Sequence, residues 1–304
     1  MFNFQRFLRT PRSIILSLNN HGMLRFMTDK RNIQWMYYAS FGKRLNLENP
    51  QTFNEKIQWL KLYDRNVLYT SLVDKYAVKE YVKEAIGEQY VIPTFGVWDR
   101  FEDINIDSLP EQFVLKTTHD GGGAGVVICN RKGEFDDVDA KTRINESLAR
   151  DVYSDLREWP YKNVPHRILA EKLLLNDGQP LQDYKIHCFE GEPKFILVCK
   201  DRYEKTGLTE DFFDCEWQHI PVRRPKHPNS ETPIAPPMQL QEMLDLSRHL
   251  SQGIPFVRTD FYVADGKVLF GEMTFYPTSG YTAFVPKEYD IIFGQWLKLP
   301  IIKK

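Results

Sequence analysis

The plainest alternation of apolar and polar positions runs from Pro255 to Phe275. Two β-rich runs there are joined by Ala264-Asp265-Gly266, the composition of a hairpin turn. Strand side chains alternate between faces, so the turn length fixes which residues share one. A two-residue Asp265-Gly266 turn puts Asp260 and Glu272 on opposite faces. A three-residue turn, with Gly266 at the positive-φ position, puts them together. Val257, Phe261, Val263, Leu269, Met273 and Phe275 all carry odd numbers and share a face only in the three-residue register. That register is the one predicted, and it gathers Arg258, Asp260, Glu272 and Thr274 on the other face.

Helical periodicity dominates up to about residue 88. Thr52 and Glu55 have capping-box spacing, and Phe53, Ile57 and Leu60 follow as one stripe. A second helix is predicted from near Ser71 to near Gly87, with Val78, Tyr81, Val82 and Ala85 inward and Lys75, Lys79 and Lys83 on a solvated side. From Tyr90 the pattern changes to short strands: Phe113–Lys116, Val126–Cys129, Arg167–Leu174, Asp183–Phe189 and Phe195–Lys200. Asn176-Asp177-Gly178 reads as a turn, and helices are predicted over 138–152 and 239–250. Residues 221–237 hold six prolines and read as an extended segment, either a substrate lid or a plain connection. No internal repeat is visible. The mixture predicts an α+β fold, with a helical N-terminal region over 1–88 and a body over 89–304 in two lobes, about 89–170 and 171–304.

Composition narrows the function. Across 304 residues the net charge is −1, without the basic excess of a nucleic-acid binder. The four cysteines show no Cys-x-x-Cys, which fits reduced thiols in a cytoplasmic protein. No apolar run is long enough to span a bilayer, and no secretory signal stands out. In residues 1–31, Arg6, Arg9, Arg12, Arg25, Lys30 and Arg31 face only Asp29. The favoured reading is a helical arm packed on the body. The alternative is peripheral contact with an anionic membrane at its inner face.

Two carboxylates beside an arginine are costly unless something uses them. Mg²⁺ with bound phosphates would relieve the repulsion of Asp260 and Glu272, whereas a solvated face with Arg258 bridging the acids explains the same residues. A second feature adds to the first. His119-Asp120-Gly121-Gly122-Gly123-Ala124-Gly125 leaves backbone N–H groups open to phosphate oxygens, and Lys116 precedes it. The lysine comes before the glycines and a strand follows them, so this is neither a Walker A loop nor a dinucleotide fingerprint. A hydrogen bond that shapes the loop is the role read for His119, and His187 reads as a structural strand residue.

These stretches together resemble the ATP-grasp superfamily, in its branch named for teichuronopeptide biosynthesis (TupA-like). The resemblance rests on PQTFNEKIQWL from Pro50, DKYAVKEY from Asp74, KTTHDGGGAGV from Lys116, AEKLL from Ala170, DYKI from Asp183, VRTDFY from Val257 and GEMTFYPTSG from Gly271. It implies ATP clamped between two α+β lobes. Lys116 would contact phosphate, and the loop holding His119, Gly121, Gly122, Gly123 and Gly125 would close over it. Glu171, Lys172, Leu173 and Leu174 match the hinge at adenine, and Asp183 the acid at ribose. Lys185, with Lys200 or Arg202, would add charge at the phosphates. Asp260, Glu272 and Thr274 match the Mg²⁺ ligands, with Thr where many members carry Asn. Arg258 matches the arginine beside the reacting carboxyl. The implied activity is carboxylate–amine ligation through an acylphosphate, joining an amine or amino acid to a carboxylated sugar or glycan in bacterial surface polysaccharide (capsule) biosynthesis. Two alternatives stay open: a glycosyltransferase of polysaccharide biosynthesis, for which no Asp-x-Asp metal motif stands out, and a nucleotide-binding module without turnover, against which Lys116, Asp260 and Glu272 argue.

Overall fold

A computed structural model describes residues 11–121, 123, 125–175, 181–200 and 207–301. Arg6, Arg9, Gly122, the 176–178 turn and Arg202 lie outside the described residues. Helices α1 (Pro11–Asn20) and α2 (Asp29–Phe41) form the first layer. They are fastened to the body: Asn19 donates to the Asp155 carbonyl (2.8 Å), Arg25 pairs with the Asp155 carboxylate (2.7 Å), and Arg157 donates to the Arg25 carbonyl (2.9 Å). Helix α3 (Phe53–Tyr63) starts on the predicted capping box, with Thr52 Oγ1 accepting from the Glu55 N–H (3.2 Å) and the Glu55 carboxylate from the Thr52 N–H (3.1 Å).

The helix predicted over 71–87 is two helices, α4 (Leu68–Val73) and α5 (Val78–Ile86). Asp74 breaks it. Its carboxylate accepts from the N–H groups of Tyr76 (2.8 Å) and Ala77 (3.2 Å) and pairs with Arg167 (2.9 Å), while the Lys75 N–H leaves the helical ladder for the Thr118 carbonyl (3.0 Å).

Two antiparallel sheets follow. One has the order β1 (Thr94–Trp98), β4 (Ile168–Lys172), β2 (Phe113–Thr117), β3 (Val126–Cys129). Helix α6 (Asp137–Leu148) covers it and closes a core around Phe113, Leu115, Ile144 and Ile168; the short helix α7 (Val152–Leu156) comes next. The other sheet has the order β10 (Lys267–Thr274), β9 (Phe256–Ala264), β5 (Asp183–Phe189), β6 (Glu192–Lys200), β7 (Thr209–Phe213), β8 (His219–Ile220). Helix α8 (Leu240–Ser251) packs Met243, Leu244 and Leu250 into its core, and α9 (Glu288–Trp296) closes against α3. The proline-rich 221–237 segment is a connection pinned to β7: Arg224 pairs with Glu210, Asn229 donates to the Glu210 carbonyl (2.7 Å), and the Ser230 N–H donates to Asp211 (3.0 Å). All four cysteines are free thiols, and no helix among the described residues is long and apolar enough to cross a membrane.

The central hairpin reaches its predicted outcome by another route. Ala264 pairs with Lys267, so the turn is the two-residue Asp265-Gly266 type, both residues at positive φ (50° and 71°). That turn alone would separate the acids. A β-bulge at Gly271 inserts one residue between Phe270 and Glu272 and restores the pairs Glu272–Asp260 and Thr274–Arg258. The core face therefore switches parity: Val268 and Phe270 join Val257, Phe261, Met273 and Phe275 in the core, and Leu269 does not. A Cβ on Gly271 would stand 3.0 Å from the Tyr262 ring and 3.2 Å from the Asp260 carbonyl oxygen. A Gly271→Val variant should lose about 1–3 kcal/mol of stability by overpacking, measured by urea denaturation; an unchanged midpoint would mean that the bulge does not need a bare backbone.

Candidate nucleotide and metal site

The site grows from two cross-strand rows. Glu272, Asp260 and Lys185 lie side by side across β10, β9 and β5, and Thr274, Arg258 and His187 form the next row. Arg258 clamps Asp260 with two hydrogen bonds of 2.6 Å and donates to Glu272 at 2.9 Å; Lys185 Nζ lies 2.5 Å from both Asp260 and Asp183. Asp260 is 1% exposed and Arg258 8%, so this is not a solvated outer face. Burial pushes the Asp260 carboxyl up, to about 6, while Arg258 and Lys185 pull it down. The same contacts hold both cations above their usual values despite burial, which keeps the cluster ionised at neutral pH. Glu272 has a 38% exposed side chain. Burial would raise its carboxyl, but Lys75, Arg258, Lys185 and Lys116 outweigh that and hold it at about 2.

Two of those four lysine and arginine charges come from the other sheet's side. Lys116 ends β2 and pairs with Glu171 on β4; Lys79 of α5 reaches the same carboxylate at 2.5 Å. Glu171 is buried, and these two lysines hold its carboxyl low against desolvation. Lys75 donates to the Asp120 carbonyl, and burial lowers its amine while Glu272 opposes. Lys75 and Lys79 are therefore half-buried and paired, a correction to the solvated side read from the sequence. Only Lys83 of the three is well exposed, paired with Glu88. The missed signal was Glu171 itself: an acid inside a buried strand needs cations, and Lys79 reaches it from the start of α5.

The glycine loop divides into anchors and open backbone. His119 and Asp120 are buried; His119 Nε2 lies 3.1 Å from the Ser147 carbonyl, and its ring stacks on His166 at 3.6 Å. Asp120 accepts from the Gly121 N–H (2.7 Å), Ser147 (2.8 Å) and Arg150 (2.9 Å). Gly121 and Gly123 are exposed, and a Cβ on either would meet nothing within 4 Å. Gly125 is different, since a Cβ there would lie 2.6 Å from Ser147 Cβ. It lets the loop return against α6.

Of the other residues singled out, Lys172 is exposed at the end of β4, with Leu173 and Leu174 half-buried beyond it. Asp183 opens β5 and Lys200 closes β6. Two carboxylates with the Thr274 hydroxyl, 3.3 Å from Glu272, are an oxygen donor set suited to a hard cation such as Mg²⁺. Among the described residues, no cluster of three or more His, Cys, Asp or Glu side chains is arranged to hold a metal ion, so the donor set here is two carboxylates and a hydroxyl. Asp137 and Asp139 have Asp-x-Asp spacing, but they are exposed in the first turn of α6.

Strand β10, which carries Glu272, runs into a strained turn. Thr278 and Ser279 are left-handed (φ 49° and 56°). One face of α3 holds them: Gln58 donates to the carbonyls of Ser279 and Gly280 (both 2.9 Å), Lys61 to the Ser279 carbonyl (2.7 Å) and hydroxyl (2.5 Å), and Asn54 to the Thr282 carbonyl (3.1 Å).

Two outcomes are expected. Burial holds His119 down to about 4, so the unfolded chain takes the proton first. The contribution of His119 to stability is full above about pH 6.5 and is lost as pH drops towards 4. Denaturation midpoints at pH 7 and pH 4.5 should show that slope flattened in His119→Phe. Gln58→Leu leaves two buried carbonyls short of a donor and should cost about 1–3 kcal/mol; a neutral effect in thermal unfolding would show that Lys61 holds the turn alone.

A search of curated proteins returned no match. Among solved structures, the chain is similar to the D-alanine–D-alanine ligase of Helicobacter pylori (14% identity, 81% of this chain, 69% of that one, TM-score 0.43). It is also similar to that of Bacillus anthracis complexed with ATP (15% identity, 67% and 53%, TM-score 0.38) and to the ATP-grasp ligase PsnB complexed with minimal precursor, Mg and ADP (12% identity, 73% and 57%, TM-score 0.39). The chain spans about half the length of the Bacillus anthracis ligase. A family model described as TupA-like ATPgrasp matches residues 55–298. ATP-grasp proteins are ligases that form carbon–nitrogen bonds with ATP and Mg²⁺. With the match extending over most of its length, the chain belongs to the TupA-like ATP-grasp family.

Proposed function

We propose that the protein is a carboxylate–amine ligase that joins an amine or amino acid to a carboxylated sugar or glycan in surface polysaccharide biosynthesis. One observation carries the ligase reading: the Glu272 carboxylate is held down by cations from both sides of the cleft, Lys75 and Lys116 on one and Arg258 and Lys185 on the other. A cleft of that kind suits a triphosphate and a divalent cation.

In this reading a carboxylate oxygen of the acid attacks the γ-phosphorus of ATP. The new O–P bond forms as the β,γ-bridging bond breaks, giving an acylphosphate and ADP. The amine nitrogen then attacks the acyl carbon, loses a proton, and inorganic phosphate leaves. Lys116 and Lys185 would neutralise phosphate oxygens, and the 119–125 loop, exposed at Gly121 and Gly123, would shield the acylphosphate from water. In the same reading Arg258 would stabilise the oxyanion at the acyl carbon. Mg²⁺ held by Asp260 and Glu272, with Thr274 beside them, would supply charge neutralisation at the transferred phosphoryl group. For residues 1–31 the reading keeps peripheral contact with an anionic membrane as a proposal, with Met23 and Phe26 exposed beside Arg25, Lys30 and Arg31.

ADP release measured across pairs of carboxylates and amines tests the ligase. Amine-dependent ADP is expected, and Glu272→Gln, at a partly exposed position, should lower it about a hundredfold. Sugar transfer from a nucleotide sugar without ATP would overturn the proposal.

A further inference from the structure

Glu171 is a buried acid held by two lysines, one cation more than its charge requires. Strand β4 lies between β1 and β2, with Glu171 opposite Thr94 on one side and Val114 on the other. Phe113, Leu115, Ile168 and Ala170 belong to the core under α6, so strand alternation turns Lys116 and Glu171 to the opposite face. Lys116 stands opposite Leu169, which makes it the diagonal neighbour of Glu171. Its Nζ meets Glu171 Oε2. Lys79 Nζ meets Oε1 at 2.5 Å from the start of α5 and also donates to the Ile92 carbonyl (2.6 Å). The Lys116, Lys79 and Glu171 side chains are only 15%, 12% and 5% exposed.

Glu171 and Lys116 alone would close into a neutral pair. Adding Lys79 leaves a surplus positive charge where little water reaches it, and such a surplus is costly unless an anion completes the group. Burial lowers the Lys79 amine against the pull of Glu171, and Lys116 lowers it further. Lys116 has three N–H donors, and one carboxylate oxygen does not exhaust them. Its charge also reaches across the site: after Lys75, Arg258 and Lys185, it helps to hold the Glu272 carboxyl down against burial. The anion that the surplus asks for is therefore one that lies between the two sheets.

We propose that Lys79 is a positioning residue for the nucleotide: it occupies one oxygen of Glu171, so that Lys116 is not neutralised in a closed ion pair and keeps its charge for the triphosphate. The proposal rests on the ligase reading, in which Lys116 meets phosphate. Lys79 itself touches Glu171 and the Ile92 carbonyl, and it acts on the nucleotide through Lys116.

Calorimetric titration of the full chain with a nonhydrolysable ATP analogue and Mg²⁺ tests it. Lys79→Gln removes the charge and keeps a donor, and it should weaken the analogue about tenfold. Adding Glu171→Gln to that variant should bring affinity back to within about threefold of the unaltered chain, because no acid then neutralises Lys116. A lysine that only braces α5 against β4 gives a double variant as weak as the single one. Lys116 still pairs with Glu171 in Lys79→Gln, so no buried acid is left alone; Lys79→Met serves as a second neutral variant if Lys79→Gln does not fold. Unchanged affinity in the neutral variants, or a double variant as weak as the single one, would overturn the role of Lys79 and leave the ligase reading standing. Failure of the analogue to bind the unaltered chain would overturn both.

Discussion

Burying Asp260 is the constraint around which the site is arranged. A carboxylate that is 1% exposed cannot stay charged without partners, because loss of hydration costs several kcal/mol in a protein interior. Arg258 and Lys185 supply that compensation at 2.5–2.6 Å. Both must stand beside Asp260 on one sheet face, so β5 and β9 have to be neighbours in one register. Glu272 completes the group only because the Gly271 bulge reverses the parity of β10 after the turn. A missing side chain is thus the condition for two charged ones to meet.

Charge balance also joins parts of the chain far apart in sequence. Glu171 is satisfied by Lys79 and Lys116, and Glu272 lies in the field of Lys75 and Lys116 as well as of its own sheet. The segment that presents Lys75 exists because Asp74 interrupts a helix and turns its backbone to Thr118. The N-terminal region therefore carries cations to the same charged cluster. Helix α3 adds to this from the other side, with Asn54, Gln58 and Lys61 one helical turn apart and all donating into the 278–282 segment. Burial pulls the Lys61 amine down to about 7, Glu158 opposing, which marks how dry that junction is.

Much of this was legible residue by residue. The capping box at Thr52, strands 126–129 and 183–189, the glycine loop and the pairing of acids with Arg258 follow from local pattern, since each depends on neighbours a few positions away. The errors share one cause. The three-residue turn was inferred from a parity rule that assumes an unbroken ladder, and a bulge breaks that assumption. The unbroken 71–87 helix was inferred from periodicity, which cannot register a carboxylate that captures two backbone N–H groups and an arginine 93 positions away. Lys75 and Lys79 read as solvated because a helix face looks outward until something is packed on it.

By itself, the sequence determined the element types, the α+β class, the family resemblance and the chemical kinds of residue at the site, because propensity, periodicity and motif spacing are properties of short stretches. Tertiary structure alone decided which charges meet and which are buried. Those depend on register across six strands and on contacts between segments up to 241 residues apart. Desolvation and Coulomb attraction act through space, so their balance is set only once the chain has folded.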